Sequence, residues 1–385
     1  MPLMTKIKNK QPLQLGFVGG GLSSTIGRAH YSACRLDGRW DLNSGFFSRK
    51  KFMNLKTAKN WNVSQNRIYE SLNEFIFNEV NRLDAVVVLT PTPNHYKTIF
   101  ELAKKKIPII CEKPITSSLN EAKRIQQFIK KFNCYLTVTY NYTGYPMVRE
   151  LRQRVINGKL GKINQIHFEM PQDALVNTSS KIKKWRLKDQ AIPTICLDLG
   201  VHLHNLAYFI IGKDPKRVMA NFFNNSKHKK LIDNVLMWLE YENGLKGSFW
   251  MSKTAIGNRN GLRLRIIGEN GSAEWIQNNS EELYLSYKNG TREIIDRGTK
   301  SLLLNNSRYN RYKAGHPAGF IEAFANLYFD IADDLKNYNN FKKNNNPYVF
   351  GLNHSLRGLE LFTASCRSNR KHNWETVNYS TKESY

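Results

Sequence analysis

Residues 15–21 read Leu15-Gly16-Phe17-Val18-Gly19-Gly20-Gly21 and decide the fold of the first part of the chain. The apolar run from Leu13 to Val18 predicts a buried β-strand, and a helix is predicted from Ile26 to Leu36. Glycines between a strand and a helix let the backbone turn tightly, so that amide groups and the helix N-terminus can face a pyrophosphate. A plain tight turn is the alternative. We favour a site for a nicotinamide dinucleotide.

The spacing of these glycines departs from the usual dinucleotide-binding pattern. Ser24 stands where a third glycine is expected, and Gly27 follows three positions later. Because the turn still lies between a strand and a helix, we expect Gly19, Gly20, Gly21 and Ser24 to contact the cofactor.

Short apolar runs alternate with helical patterns up to about Tyr140. Ala85–Leu89 is entirely apolar, as expected for a strand that is covered on both faces of a sheet. Strands that alternate with helices of ten or so residues predict βαβ units and a parallel sheet. Residues 12–140 are therefore predicted to form a Rossmann NAD(P)-binding domain. Its other predicted elements are strands at Trp40–Ser48, Pro108–Cys111 and Tyr135–Tyr140, and helices at His95–Lys104 and Asn120–Lys131.

The pattern changes after Tyr140. Stretches of alternating apolar and polar residues are separated by turns such as Glu242-Asn243-Gly244 and Glu269-Asn270-Gly271, which are typical of hairpins. Residues 141–385 are thus predicted to be an α/β domain with a large, mostly antiparallel open sheet. Helices are predicted at Met147–Asn157, Gly319–Asn337 and Asn353–Ser365, and strands at Lys162–Glu169, Arg217–Asn224, Asn234–Glu240, Leu245–Met251, Leu262–Gly268, Ser272–Ile276 and Glu282–Tyr287.

Composition narrows the class of protein. The 385 residues are 41% hydrophobic and 12% aromatic, which argues against disorder. No run of eighteen apolar residues predicts a membrane span, and the basic start, Met1 to Gln14, lacks the apolar stretch of a secretory signal. The five cysteines include no CxxC pair, so neither a disulfide framework nor a structural zinc site is supported. These features favour a cytoplasmic protein with reduced thiols.

The formal net charge is +27. Such a charge could serve a polyanionic partner such as nucleic acid, and a phosphorylated or nucleotide-linked substrate is another possibility. The positive residues are nevertheless spread over the whole chain, and no recognition motif or basic helix stands out. We expect no nucleic-acid partner and attribute the charge to a lysine-rich composition.

Two segments on the predicted Rossmann sheet carry candidate cofactor contacts. Thr90-Pro91-Thr92-Pro93-Asn94 follows the Ala85–Leu89 strand at the sheet edge where ligands bind, although Thr92 and Asn94 could instead cap a helix. Ser48 and Arg49 follow the second strand, where an acid would bind ribose hydroxyls. A hydroxyl followed by cations would suit a 2′-phosphate, so both NAD and NADP are open, with solvent exposure of Arg49 as the alternative.

Three side chains are candidates for catalysis. Lys113 follows a buried strand, with Pro114 constraining its backbone, and could polarise a reacting hydroxyl. A salt bridge to Glu112 is the alternative. Asp198 and His202 are four residues apart and would share a helix face. His202 can accept the hydroxyl proton, and Asp198 can orient the imidazole or hold a neighbouring hydroxyl.

Other residues near this pair leave alternatives open. A helical histidine taken alone is more often a core residue than a catalyst, and His204 could be mistaken for the base. A metal held by Asp198, His202 and His204 is not expected, because the two histidines point to different faces of a helix.

These segments together resemble the glucose–fructose oxidoreductase/inositol dehydrogenase/MocA (Gfo/Idh/MocA) family over essentially the whole chain. The similarity to a branch with L-glucose/scyllo-inositol and levoglucosan dehydrogenases extends to residues 141–147 and 315–326. The chain departs from the family at Lys97, where a histidine is common, and at Ala318, where the branch often has an acid. The segments that carry the resemblance are Gly19-Gly20-Gly21 with Ile26-Gly27-Arg28-Ala29-His30, Thr92-Pro93-Asn94, Glu112-Lys113-Pro114 and Asp198-Leu199-Gly200-Val201-His202.

The resemblance implies an oxidoreductase that moves hydride between a nicotinamide and a secondary hydroxyl or ketone of a sugar, cyclitol or sugar derivative. It implies Lys113, Asp198 and His202 as the catalytic trio. It also implies that the domain of residues 141–385 serves substrate binding and oligomerisation, with a homo-oligomer, dimer or tetramer, formed through the open sheet. A non-catalytic dinucleotide- or sugar-sensing protein of the same fold is the alternative. The resemblance further implies cofactor contacts from Ile26 and Glu112, and a sugar pocket lined by Tyr142, Asn205 and His316.

Overall fold

The computed structural model of the protein describes residues 11–176, 188–301, 303–341 and 346–381. The first ten residues of the basic start, up to Lys10, lie outside these ranges. The described residues form a six-stranded sheet and a nine-stranded sheet, each with helices packed against it. The predicted α/β class, with a Rossmann domain followed by a large and mostly antiparallel sheet, is confirmed.

The first sheet holds five parallel strands in the order β5-β4-β3-β1-β2. All five side chains of β3 are buried, which explains its continuous apolar sequence. The predicted strands and helices are present within one to three residues at each end. The strands are β1 (Leu13–Gly19), β2 (Trp40–Phe46), β3 (Ala85–Leu89), β4 (Ile109–Glu112) and β5 (Leu136–Thr139), and the helices are α1 (Thr25–Arg35), α2 (Lys51–Asn60), α3 (Leu72–Glu79), α4 (His95–Lys104) and α5 (Leu119–Phe132).

Helix α2 was not predicted from the sequence. Its large apolar residues do not form a buried stripe, since Phe52 is 72% exposed and Leu55 is 39% exposed. A helix without an apolar face gives no periodic signal. Its buried residues are Asn54, Thr57 and Ala58, and Asn54 donates a hydrogen bond to the carbonyl of Tyr69 at 2.6 Å.

Two elements from the far end of the chain join the first sheet. Helix α8 (Phe320–Phe341) packs on α1 and β2, where Trp40 donates a hydrogen bond to the carbonyl of Tyr328 at 2.9 Å. Strand β14 (Phe350–Gly351) pairs antiparallel with the edge strand β5. The helix predicted for Gly319–Asn337 therefore runs on to Phe341. The sequence division at residues 140 and 141 stays a prediction, and the structure adds α8 and β14 to the Rossmann layer.

The second sheet has the order β13-β12-β11-β10-β6-β9-β8-β7-β15 and is antiparallel except for the pair β6–β9. Strands β13 and β15 were not predicted, because β13 is mostly exposed and β15 has only two residues. The strands are β6 (Ile163–Pro171), β7 (Arg217–Phe223), β8 (Asn234–Glu240), β9 (Lys246–Ser252), β10 (Arg263–Gly268), β11 (Gly271–Ile276), β12 (Leu283–Tyr287), β13 (Arg292–Ile295) and β15 (Glu375–Thr376).

One face of this sheet is covered and the other is open. The covered face packs on α6 (Pro146–Ile156), α7 (Val201–Ile211) and α9 (Leu352–Lys371). The open face carries Trp238 and Leu236, which are 59% and 43% exposed. Within the described ranges, none of the helices combines the length and the apolarity that a membrane crossing requires.

Candidate active site

The glycine turn at the end of β1 has a backbone that favours glycine. Gly19 and Gly20 have φ angles of +84° and +72°, in the left-handed region. A Cβ on Gly19 would lie 2.8 Å from the carbonyl carbon of Leu89, so the turn also packs directly on the end of β3. Ser24 caps α1 by accepting a hydrogen bond from the Gly27 amide at 3.1 Å.

Gly27 takes the role of the third glycine, which the sequence pattern lacks at Ser24. A Cβ on Gly27 would lie 1.7 Å from the carbonyl oxygen of Gly20. Only a glycine at this position lets the first turn of α1 approach the glycine turn so closely, which is the packing role of a third glycine in a dinucleotide fold. The described backbone therefore fits a bound dinucleotide.

The end of β2 lies beside the glycine turn. The Gly21 amide donates to the carbonyl of Phe47 at 3.3 Å, which brings the following residues to the same edge of the sheet. Ser48 is half-buried, and its hydroxyl accepts a hydrogen bond from the Lys50 amide at 3.1 Å. Arg49 is exposed. Solvent exposure, the alternative left open for Arg49 by the sequence, is what the structure shows.

His95 holds two of the predicted loops together, a role that the sequence did not reveal. Its ring is buried between the carbonyl of Thr90, 2.8 Å from Nε2, and the carbonyl of Pro114, 3.0 Å from Nδ1. Thr92 is buried, whereas Asn94 is exposed and makes no side-chain capping bond. The capping alternative is therefore not seen for Asn94.

Lys113 leaves the end of β4 and crosses to the second half of the chain. Its Nζ donates a hydrogen bond to the carbonyl oxygen of Asp198 at 2.8 Å and lies 3.8 Å from Asp198 Oδ1. The ion pair that the structure shows for Lys113 is with Asp198, so the alternative of a salt bridge to Glu112 is not what holds this lysine.

Glu112 has a separate network. It is buried, lies 3.1 Å from His30 Nε2 and accepts a hydrogen bond from Thr139. Burial opposes its ionisation, but the hydrogen bond with His30 and the nearby positive charges hold the pKa of Glu112 below its ordinary value. The Glu112 carboxylate is thereby kept charged.

Asp198 lies in a π-helical turn, Cys196–Gly200, that leads into α7. π-Helical turns are rare in proteins as a whole, and those that occur are frequently found at functional sites. The Asp198 carboxylate forms an ion pair with a lysine that directly follows β9. Its Oδ2 lies 2.5 Å from Nζ of Lys253, a residue that the sequence analysis missed. No local signal connects Lys253 with Asp198, because the two are 55 positions apart.

His202 is buried at the first turn of α7, with 4% of its surface exposed. Its ring meets that of Tyr142 edge-to-face, with centroids 4.6 Å apart. Burial and the positive charge of Lys113 hold the pKa of His202 well below its ordinary value of 6.5, against the opposing charge of Asp198. Among the described residues its Nδ1 has no hydrogen-bond partner. The site therefore contains a neutral imidazole whose Nδ1 makes no hydrogen bond to a described residue.

Three predicted residues lie apart from this group. His204 Nε2 is 2.7 Å from Asp214, and Asn205 Nδ2 is 3.1 Å from His354 on α9, so both belong to a buried polar cluster. His316 is exposed, and its carbonyl accepts a hydrogen bond from Arg297 at 2.7 Å. Of the predicted substrate contacts, Lys113 and Asp198 line the cavity at the carboxyl edge of the first sheet, whereas Tyr142, His202, Asn205 and His316 do not.

A cavity of about 540 Å³ opens at the carboxyl edge of the first sheet. Its walls include Ile26, Thr92, Glu112, Lys113 and Asp198, all of which were predicted from the sequence. The cavity also has polar walls that were not predicted, from Ser117, Lys188, Gln190 and Thr194. Among the residues that the structure describes, no group of three His, Cys, Asp or Glu side chains is arranged to hold a metal.

Comparison with known families identifies both halves of the chain. Residues 13–140 match the oxidoreductase family with an NAD-binding Rossmann fold, and residues 148–274 match the GFO/IDH/MocA C-terminal domain. The protein belongs to the Gfo/Idh/MocA family. As a member of that family, it is an oxidoreductase with an NAD-binding Rossmann domain.

Relatives of this Gfo/Idh/MocA protein include dehydrogenases of cyclitols. It is 28% identical over 374 residues to the uncharacterized oxidoreductase YfiI of Bacillus subtilis (strain 168), a match that covers 93% of this chain and 95% of that protein. It is 25% identical over 203 residues to the scyllo-inositol 2-dehydrogenase (NAD(+)) of the same organism, covering 49% of this chain and 54% of the enzyme.

Solved structures share the architecture over 95% of this Gfo/Idh/MocA chain. An inositol dehydrogenase homolog from Azotobacter vinelandii, complexed with NADH and myo-inositol, matches with a TM-score of 0.87 and 25% identity. The match covers 95% of this chain and 98% of that one. An oxidoreductase from Sinorhizobium meliloti matches with a TM-score of 0.82 and 28% identity, covering 95% and 99% of the two chains.

Proposed function

We propose that this protein is an NAD-dependent dehydrogenase that acts on a secondary hydroxyl, or the corresponding ketone, of a sugar, a cyclitol or a sugar derivative. The observation that carries the proposal is the convergence of Lys113, Asp198 and a buried neutral His202. Lys113 and Asp198 line one cavity, and His202 lies one helical turn from Asp198. Hydroxyl oxidation needs a proton acceptor at the reacting oxygen, and a cation beside the same oxygen stabilises the negative charge that develops there.

Each side chain has a distinct role in this proposal. His202 accepts the hydroxyl proton, because its lowered pKa keeps the imidazole neutral near pH 7. Lys113 donates a hydrogen bond to the reacting oxygen, and Asp198 holds the ammonium in place. Tyr142 packs its ring on His202 and fixes the imidazole plane. When bound, NAD supplies the acceptor for the hydride.

The substrate class rests on the relatives and on the polarity of the cavity. The matched scyllo-inositol 2-dehydrogenase and the homolog with myo-inositol support a polyhydroxylated ring. The hydroxyl, amide and ammonium groups of Ser117, Gln190 and Lys188 offer hydrogen bonds to such a ring.

The finer choice of cofactor rests on Ser48 and Arg49. We propose NAD as the principal cofactor and NADP as an additional one, since Arg49 is exposed beside the glycine turn and can pair with a 2′-phosphate.

The assembly and location are further parts of the proposal. We propose a homo-oligomer that buries the open face of the second sheet, where Met219 lies opposite Trp238 on neighbouring strands. Exposed apolar patches of this kind mark interaction surfaces. The five cysteines are all free, which fits a reducing cytoplasm.

Turnover assays test this function directly. NADH formation should be measured with a panel of cyclitols, sugars and sugar derivatives, first for the wild type and then for Lys113→Ala and His202→Ala. Both variants should lose at least about 100-fold in kcat while NADH binding survives, because each removes a proton-transfer or polarising group. Lys105→Ala, an exposed lysine at the end of α4, is the matched control.

Two outcomes would contradict the proposal. Full activity in both variants would remove the mechanism. Ligand binding by the wild type without turnover of any polyol would instead indicate a sensing protein of the same fold.

A further inference from the structure

Lys253 follows β9 directly and reaches the predicted catalytic group from the second sheet. Its Nζ lies 2.5 Å from Asp198 Oδ2, and the two side chains are only 12% and 22% exposed. A charge-assisted hydrogen bond of this kind, largely shielded from water, is stronger than a pair on the surface. The Asp198 carboxylate thus lies between two ammonium groups, those of Lys253 and Lys113.

The backbone of Lys253 is held on both sides. Its amide donates to the carbonyl of Asp233 at 2.8 Å, and its carbonyl accepts from the amide of Leu175 at 2.8 Å. These bonds fix the origin of the lysine side chain. The ammonium group therefore extends from a backbone that is anchored at the end of β9.

Gly200 explains why β9 comes close enough to the turn. A Cβ on Gly200 would lie 2.6 Å from the ring of Phe362 on α9 and 2.9 Å from Sδ of Met251, two residues before Lys253. The absent side chain lets the turn that carries Asp198 pack against α9 and the end of β9. The contact between Lys253 and Asp198 thus arises from the packing of this turn on β9.

We propose that Lys253 is a positioning residue for the dehydrogenation, one that holds the Asp198 carboxylate through Oδ2. The inference rests on the proposed function. With Oδ2 bound to Lys253, Asp198 meets Lys113 only through the carbonyl contact and the longer 3.8 Å approach of Oδ1. Without Lys253, both carboxylate oxygens can turn to Lys113 and draw its ammonium away from the reacting oxygen.

The kinetic signature of a positioning role differs from that of a structural one. Lys253→Met should lower kcat roughly 10- to 100-fold, as expected for a small misplacement of a catalytic group. KM and the Kd for NADH should change less than about threefold, because ground-state binding does not use this contact. Lys253→Arg should recover most of kcat, since a guanidinium can replace the ammonium on Oδ2.

The pH profile supplies a second readout. The charged or titratable groups that act on Asp198 in the described structure include Lys113, Lys253, His202 and Tyr142. Removal of one positive charge favours the protonated forms of Asp198 and His202. The acidic limb of the kcat profile should therefore move to higher pH in Lys253→Met and return in Lys253→Arg.

The experiment compares wild type, Lys253→Met, Lys253→Arg and Lys246→Met in kcat, KM, NADH binding and melting temperature. Lys246 lies at the other end of β9 and pairs with Glu240 at 2.6 Å, but it is 60% exposed, so its replacement is a matched control without a role at the site. If Lys253→Met does not fold, Lys253→Gln takes its place.

The outcomes separate the inference from the function. An active wild type beside a Lys253→Met variant with unchanged kcat and pH profile would overturn the inference alone. An arginine variant as impaired as the methionine variant would also overturn it. A wild type that binds NADH but turns over no polyol would overturn the proposed function, and the inference with it.

Discussion

Lys113 donates a hydrogen bond to the carbonyl oxygen of Asp198 at 2.8 Å, although the two residues are 85 positions apart. The bond connects the end of β4, in the Rossmann sheet, with the turn that precedes α7, on the second sheet. A backbone carbonyl does not titrate, so this half of the contact persists over the pH range in which side chains change charge. The relative placement of the two sheets is therefore part of the active site.

The buried histidines predict how stability depends on pH. Burial, as the largest cause, lowers the pKa of His95, His202 and His354 below the ordinary value of 6.5. Below pH 6.5 these histidines become protonated in the unfolded chain, whereas in the folded protein their lowered pKa values keep them neutral to lower pH. The contribution of these histidines to the free energy of unfolding should therefore be fully present above about pH 6.5. Below that pH the free energy of unfolding should fall, by up to about 1.4 kcal/mol per pH unit for each histidine.

Urea unfolding at several pH values measures this slope. His202→Gln should make the dependence between pH 6.5 and 5 shallower by about one proton, whatever its effect on stability at pH 7. His228→Gln, which replaces a half-exposed histidine between β7 and β8, is the control. An unchanged slope in His202→Gln would show that this imidazole is already charged in the folded protein.

Gly27 predicts a coupling between fold and cofactor binding. In Gly27→Ala the new Cβ would stand 1.7 Å from the Gly20 carbonyl oxygen, so α1 or the glycine turn must shift. We expect a loss of about 1–3 kcal/mol in unfolding free energy, as for other overpacked sites, together with weaker NADH binding. Fluorescence titration with NADH and thermal melting measure the two effects.

The control for this change is Gly319→Ala. Gly319 meets no neighbour closer than 4.0 Å, so an added methyl group has room. Wild-type NADH affinity in Gly27→Ala would mean that the turn is not part of the cofactor site.

Arg49 predicts the balance between the two cofactors. If its guanidinium pairs with a 2′-phosphate, Arg49→Ala should raise KM for NADP about tenfold, the equivalent of a charge-assisted hydrogen bond, and leave KM for NAD nearly unchanged. Steady-state kinetics with each cofactor measure this ratio. Lys59→Ala, an exposed change in the last turn of α2, should alter neither value. Equal effects on both cofactors would place Arg49 outside the phosphate site.

Trp238 predicts the interface of the proposed oligomer. Its side chain is 59% exposed on the open sheet face, and an aspartate there would bring a charge into any buried contact. Trp238→Asp should therefore reduce the molar mass measured by light scattering to that of a single chain. Phe77→Asp, which replaces an 82% exposed aromatic residue on α3, should keep the wild-type mass. A monomeric wild type would contradict the proposal.

The sequence was most informative where local patterns reflect burial directly. Strand β3 could be found because all five residues are apolar, and α4 because its apolar residues recur at helical spacing. The turn at Asn243 and Gly244 was recognisable because both residues adopt positive φ, which few other residue types tolerate. Elements without such a signal, such as α2 and the two-residue strand β15, were missed.

The chemistry of the site divides in the same way. The sequence was enough to identify the candidate catalytic residues Lys113, Asp198 and His202, since lysine, carboxylate and imidazole each have a chemical role at any position. The side chains that these residues contact could not be predicted from the sequence. Glu112 lies beside Lys113 in sequence yet pairs with His30, and Asp198 pairs with Lys253 from a strand 55 positions away.

By itself the sequence determined the parallel sheet, the glycine turn and the candidate groups for hydride transfer, because these depend on residue type and on neighbours in the chain. Only the tertiary structure decided that Gly27 is the close-packed glycine, that α8 returns to the Rossmann layer, and that Lys253 reaches Asp198. Those relationships arise when sheets and helices pack against one another, and packing joins residues without regard to their distance along the chain.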